Sequence, residues 1–224
     1  MLPFASFRRP VTAALLLAAA GLAATAGLAP PVWAGAPAAY RIAAGRYDRK
    51  RDALADAPPA IHFTLKGLTV LVEYLDPAAR AAFISSLDPQ AGDLFAPPPG
   101  RPQAYTAFRV DLDNASASDV TFQPGNVILS TDRKAHMFPV DLTDLYRVAS
   151  RDENADADLL MRRVAPLIFD SSVTIRSGAR LSRLLVFGPL PEKWREFGLH
   201  FSFIQIGTET HSLSFPFHKQ ASGS

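Results

Sequence analysis

The chain has 224 residues, 48% hydrophobic and 20% charged, a balance that excludes a disordered polymer and allows one large domain or two small ones. Its formal charge of +2 is carried by Arg8 and Arg9: no acid precedes Gly35, and removing those two from the 23 bases leaves 21 against 21 acids. No long-range field therefore favours nucleic acid or an anionic membrane. There is no cysteine, which excludes disulfides, thiol catalysis, cysteine metal centres and a lipid anchor on a cleavage-site cysteine.

Residues 1–34 read as a secretory signal peptide. Arg8 and Arg9 form the positive region, Val11 to Ala29 is an Ala/Leu-rich apolar run, and Val32 and Ala34 place small residues before a cut after Ala34. The apolar run reaches the ~18 residues of a membrane span, but its alanine content makes a weak one, so the mature chain is expected to keep no membrane anchor. Residues 35–59 form an Ala/Pro-rich leader, in which the Arg46 to Asp52 charge cluster reads as solvated because its bases alternate with Asp48 and Asp52.

From Ile61 the apolar residues alternate through Phe63 and Leu65, then after Gly67 through Leu68, Val70, Val72 and Tyr74, which predicts one bent strand or a tight pair. Asp76 is a good N-cap and Pro77 suits a first helical position, so a helix is expected over 77–87 with Ala78, Ala82 and Phe83 on the sheet. The linker from Asp88 to Gln103 holds five prolines and two glycines and cannot be regular.

The stretch from Ala104 to Leu129 is the one the others must pack around. Phe108, Val110 and Leu112 alternate with Arg109, Asp111 and Asp113, the period of a strand with one buried and one wet face. Asn114 to Ser118 is a polar turn, and Val120 onward is a second strand with a bulge or corner at Pro124-Gly125. Between Val140 and Val164 the period becomes helical: Leu142, Leu145, Tyr146 and Ala149 share one face and Leu159, Leu160, Arg163 and Val164 another, giving a helical insert over 141–164. Strands resume at Leu167 and Val173, and the apolar run Leu181 to Phe187 fits a central strand. Phe197 to Ile206 and Glu209 to Phe217 flank Gly207-Thr208, a two-residue connection suited to a type II′ turn. A tail follows over 219–224. These elements predict a mainly β chain, a two-sheet antiparallel sandwich domain over 60–218 that buries its phenylalanines and leaves no furnished cavity.

Candidate chemistry is sparse. Asp152, Asn154, Asp156 and Asp158 place oxygen ligands at every second position, the spacing a calcium loop needs, yet Ala157 stands where glycine belongs and Arg163 where an acid should close the site. The competing reading is an acidic turn capping the helix that follows. Asp111, Asp113 and Asp119 read as a solvated face with Arg109 as counter-ion, since neighbours on one open strand do not make a hydrolase cleft. His200 and His211, counted outward from the Gly207-Thr208 turn, come to nearly opposing positions, but a zinc or copper site lacks a third ligand. There is no nucleophile elbow and no phosphate-cradling glycine loop. Asn114-Ala-Ser116 matches the N-glycosylation pattern.

In Gly67-x-Thr69-Val70-x-Val72 leading into a helix, Val110-x-Leu112-x-Asn114 before a polar turn, and Ile175-Arg-Ser-Gly178 followed by Leu184-Leu-Val-Phe187, the chain resembles the immunoglobulin-like sandwich domains of secreted and lipid-anchored bacterial proteins of unassigned function. The resemblance spans about Ile61 to Phe217. It departs in lacking a lipid-accepting cysteine and in the length of its helical insert. It implies a binding module and supplies no catalytic residues. The expectation is a periplasmic or secreted sandwich that binds a protein or cell-envelope component, is not an enzyme, needs no cofactor and uses its helical insert and Pro-rich linker as contact surfaces. The alternative is a calcium- or carbohydrate-binding sandwich built on the 152–158 loop.

Overall fold

The computed structural model describes residues 40–46, 59–89, 93–97, 105–151 and 156–221. The signal peptide, most of the leader, and Asp152 and Asn154 lie outside the described residues.

The first strand, β1 (Tyr40–Ala44), falls in the stretch read as leader. β2 (Ala60–Leu65) and β3 (Leu68–Leu75) are a tight pair rather than one bent strand, joined by Lys66 and Gly67 with φ of 50° and 85°. Two successive positive φ values are those of a type I′ turn, whose twist matches the strands it joins. Helix α1 (Pro77–Leu87) starts as expected, with the Asp76 carboxylate accepting from Ala79 N at 2.9 Å. β4 (Thr106–Asn114) follows, then β5 (Val120–Phe122), a 3₁₀ turn over Pro124–Asn126 and β6 (Val127–Thr131), so the corner predicted at Pro124-Gly125 is present. After β7 (His136–Met137) come α2 (Leu142–Ala149) and α3 (Ala157–Val164), then β8 (Val173–Ile175), β9 (Arg180–Phe187), β10 (Glu196–Ile206) and β11 (Glu209–Ala221).

Two sheets form. One has four strands in the order β2-β3-β4-β9; the other has seven, running β1-β11-β10-β5-β8 with β6 also on β10 and β7 on β6. Every strand pair is antiparallel. β10 serves two partners along one edge, β6 through Phe197 to Phe201 and β5 through Ile204 to Ile206, because a bulge between Phe201 and Ile204 matches the corner between β5 and β6. Gly207 alone carries a positive φ in the last turn, at 59°, as type II′ requires.

The alternation read from the sequence drives the sandwich. Inward residues of both sheets, Val70, Val110, Leu112, Phe122, Leu199, Phe201 and Phe215 among them, form one buried core. Phe108 is its hub, with ring centroids 6.0, 5.7 and 5.4 Å from Phe187, Phe197 and Phe217. Each such ring contributes about 1.5–3 kcal/mol by leaving water, which is how the chain holds together without a disulfide.

The four-stranded sheet is covered on its other face as well. Leu75, Leu184 and Val186 point away from the sandwich core and form a second buried cluster with Ile84 of α1, Phe95, Leu145 of α2 and Val164 of α3. This corrects two expectations. The run Leu181 to Phe187 is not a central strand: β9 ends the sheet, and its apolar character reflects a helical layer above it. Its outer edge is covered by short chain segments, with Phe169 N donating to Leu184 O at 2.8 Å and Val140 N to Val186 O at 2.7 Å. The buried stripe of α1 is Arg80 and Ile84, while Ala78 and Ala82 are exposed.

Candidate functional site

A groove of about 1120 Å³ opens where the helical layer meets one end of the sandwich. Its walls come from seven separate stretches. α2 supplies Leu145, Val148 and Ala149, and α3 supplies Leu160, Met161 and Val164. The Pro-rich linker supplies Leu94, Phe95 and Ala96, and the loop after β9 supplies Pro189 to Glu192. Tyr40 and Ile42 of β1, Tyr74 of β3, and Tyr105 and Thr106 at the start of β4 complete it. The two segments expected to carry contacts, the helical insert and the linker, thus meet at one surface.

Local chemistry builds each wall. α2 is capped by Asp141, whose carboxylate accepts from Asp144 N at 2.7 Å, and its start is tied to the strand layer by Leu142 N donating to Asp170 at 2.7 Å. α3 is capped by Asp156, which accepts from Leu159 N at 2.8 Å. The linker wall is held from below. Arg80, fully buried, donates to both carboxylate oxygens of Asp93 at 2.8–3.1 Å and to Phe95 O at 3.1 Å, while Asp93 also accepts from Phe95 N at 3.1 Å. A buried guanidinium thus fixes an otherwise irregular segment over α1.

The groove is apolar with a few neutral polar points. Glu192, exposed, is the one charged residue among those lining it. Three of the chain's five tyrosines face it. Burial, with the nearby Tyr40 and Asp76, pushes the Tyr74 phenol up to about 12 against the opposing pull of Arg80. Burial and Asp144 also raise Tyr105. Both phenols are neutral donors at physiological pH. Beside the groove, Val148 is 54% exposed, and Tyr146 and Leu159 are exposed on the same helices. Those two had been expected inward; Met161 takes the groove-facing place of Leu159 on α3.

Among the described residues, the polar side chains singled out in the sequence do not converge. Asp156 spends its side chain on the α3 cap, Asp158 is exposed in the first turn, and no group of three or more His, Asp or Glu among the described residues is placed to hold a metal. Asp111 is not solvated. It is 2% exposed and accepts from Arg109 at 2.6 and 2.9 Å, from Arg180 at 3.1 Å and from Ser182. Burial pushes its carboxyl up, but these bonds and the Arg109 charge together hold it below the usual carboxylate range. His200 lies opposite Ser214 and His211 opposite Ile204, so the two do not face each other; counted outward from Gly207-Thr208, His211 meets Ile204 before the bulge in β10 is reached. Asn114 is fully buried, its amide donating to Ser118 O and Ile175 O at 2.9 Å and its oxygen accepting from Ser116. The glycosylation pattern there is a structural turn.

The groove itself went unread because its residues are ordinary core types from seven separate stretches. The available signal was the apolar surplus of α2 and α3, more than one sheet face uses. No family model matches the chain, and no curated protein matches it. Among solved structures, the yjhA protein from Bacillus subtilis is similar at a TM-score of 0.34 and 11% identity, over 63% of this chain and 77% of that one.

Proposed function

We propose that this is a non-enzymatic β-sandwich of the periplasm or the secreted fraction that binds a protein or cell-envelope partner through the groove between its helical layer and the end of the sandwich. The observation that carries the reading is the groove itself, a large apolar concavity rimmed by exposed Val148 and furnished with neutral phenols. Catalysis finds no support in the described residues, because the strongest carboxylate cluster, at Asp111, is fully committed to Arg109, Arg180 and Ser182.

A photo-crosslinking amino acid at Val148, at Phe63 and at Leu87, three exposed apolar positions on different parts of the surface, tests this in cells. The expected outcome is an adduct from Val148 and none from the other two. Adducts from Phe63 alone would move the binding surface to the β2 edge and overturn the assignment.

A further inference from the structure

We infer that the groove takes the hydrocarbon chain of a single-chain amphiphile with an anionic head, a fatty acid or an alkyl phosphate, and that Lys219 holds the head. The inference rests on the groove being the binding site and goes on to name its occupant.

Lys219 stands opposite Ile42 in the β1–β11 register. Residues directly opposite each other in an antiparallel pair project from the same face of the sheet, so the lysine leaves β11 on the face from which Tyr40 and Ile42 line the groove. Its ammonium rests against two rings that meet edge to face, 4.3 Å from the Tyr40 centroid and 4.6 Å from that of Trp194. Trp194 is buried and packs into the sandwich core, which fixes this corner, while Tyr40 belongs to the groove wall. The rings therefore hold a half-buried positive charge at the β1 side of the groove.

A ring face attracts a cation but does not accept its three N–H donors as a carboxylate or phosphate oxygen does. Among the described residues no carboxylate pairs with Lys219, so its charge is available to an incoming anion. Glu192, in the lining, is exposed and screened by water. Lys219, set against aromatic carbon, acts where a charge contact is stronger.

Hydrocarbon makes up most of the remaining wall, with Leu94, Phe95, Leu160 and Met161 among its residues. The volume of about 1120 Å³ exceeds the roughly 300–1,000 Å³ of sites for compact ligands, which suits a long chain. A cation at the side of an apolar groove matches a ligand whose charge sits at the end of a hydrocarbon chain. An extended peptide instead spreads N–H and C=O groups along its length, each needing a partner when buried, and an apolar helix brings Lys219 no anion.

The test is displacement of the neutral fluorescent probe N-phenyl-1-naphthylamine from the purified full-length protein by amphiphiles of one chain length, each below the concentration at which it self-associates. Dodecanoate at pH 8 or dodecyl phosphate is expected to displace the probe at a concentration at least about tenfold lower than monododecanoylglycerol or dodecyltrimethylammonium. Whichever anion acts at the lower concentration names the head. Lys219→Met, which keeps the stem and drops the charge, is expected to bring the anions within about threefold of monododecanoylglycerol and to leave that neutral ligand unchanged. Lys219→Arg is expected to keep the preference, so the result does not hang on the folding of the methionine variant. Equal displacement by anionic and neutral heads overturns the proposal, as does a preference for anions that survives in folded Lys219→Met or is lost in folded Lys219→Arg, or the absence of saturable probe binding. Displacement by a Leu/Ala helical peptide and by none of the amphiphiles overturns it too, while leaving the groove as a binding site. Loss of the Val148 crosslink in cells would instead defeat that broader reading.

Discussion

Arg80 and Asp93, thirteen residues apart, are joined by three hydrogen bonds of 2.8–3.1 Å beneath the Pro-rich linker, the guanidinium wholly out of water. Removing the carboxylate leaves a buried charge unpaired. Asp93→Ala is expected to cost about 3–5 kcal/mol in urea unfolding, and Arg80→Met with Asp93→Leu is expected to recover most of it. A single change costing less than about 1 kcal/mol would show that water reaches the guanidinium.

Gly67 and Gly178 separate backbone strain from steric contact. Both have positive φ, 85° and 76°, but an added Cβ at Gly67 would lie 2.9 Å from the Ser116 Cα, whereas at Gly178 nothing lies within 4 Å. Gly178→Ala is expected to cost about 1–2 kcal/mol, the penalty of the left-handed conformation alone. Gly67→Ala is expected to cost more, because the obstacle is backbone and the polar turn must shift. Equal melting temperatures for the two variants would contradict this.

Tyr74 predicts an alkaline instability. Its folded pKa is raised to about 12, so below the ordinary phenol value of ~10 the folded state loses nothing, and between the two values only the unfolded chain releases the proton. Stability is therefore present at neutral pH and falls as pH rises from about 10 through about 12, by on the order of 2 kcal/mol. Absorbance at 295 nm should show one tyrosinate appearing late, and Tyr74→Phe should abolish it and flatten the alkaline limb.

Asp111 predicts the opposite limb. Its folded carboxyl titrates below its ordinary value, so its contribution is whole above the unfolded pKa and is lost as pH falls through the folded one. Chemical denaturation between pH 6 and pH 2 should show Asp111→Asn with a shallower acid dependence than the unmodified chain.

Asn114 donates one bond of 2.9 Å to Ile175 O, tying β4 to the end of β8, and another of 2.9 Å to Ser118 O across its own turn. Asn114→Ala is expected to cost about 1–3 kcal/mol for each group left without a partner. Expressed in a eukaryotic secretory pathway, the folded protein is expected to carry no glycan there, which mass spectrometry would detect.

The helix from Pro77 and the II′ hairpin at Gly207 were legible because a cap, a proline or a two-residue loop announces them locally. The two sheets followed from period-two alternation. What escaped reading was set by partners far along the chain. Arg80 looks like a solvent residue until Asp93 folds over it, and Asp111 looks like one until Arg180 and Ser182 arrive from β9. Two-sided burial of β9 reads the same whether helices or strands supply the second cover. The histidine pairing failed on the count itself, since the regular register beside the Gly207-Thr208 turn sets His211 against Ile204. Of the acidic loop, the helix-capping role was legible, since Asp156 caps α3 as that composition allows.

β1 is hydrogen-bonded to β11, from Tyr40 opposite Ala221 to Ala44 opposite Phe217. A chain delivered amino end first, from a ribosome or through a translocation pore, must therefore hold its opening strand in waiting until almost the whole polypeptide has emerged. Closing that circuit spans the domain, so it belongs to the late, slow part of assembly. Until β1 is paired with β11, Tyr40 and Ile42 are not yet in place beside the helices, and the groove is the last part of the molecule to be finished.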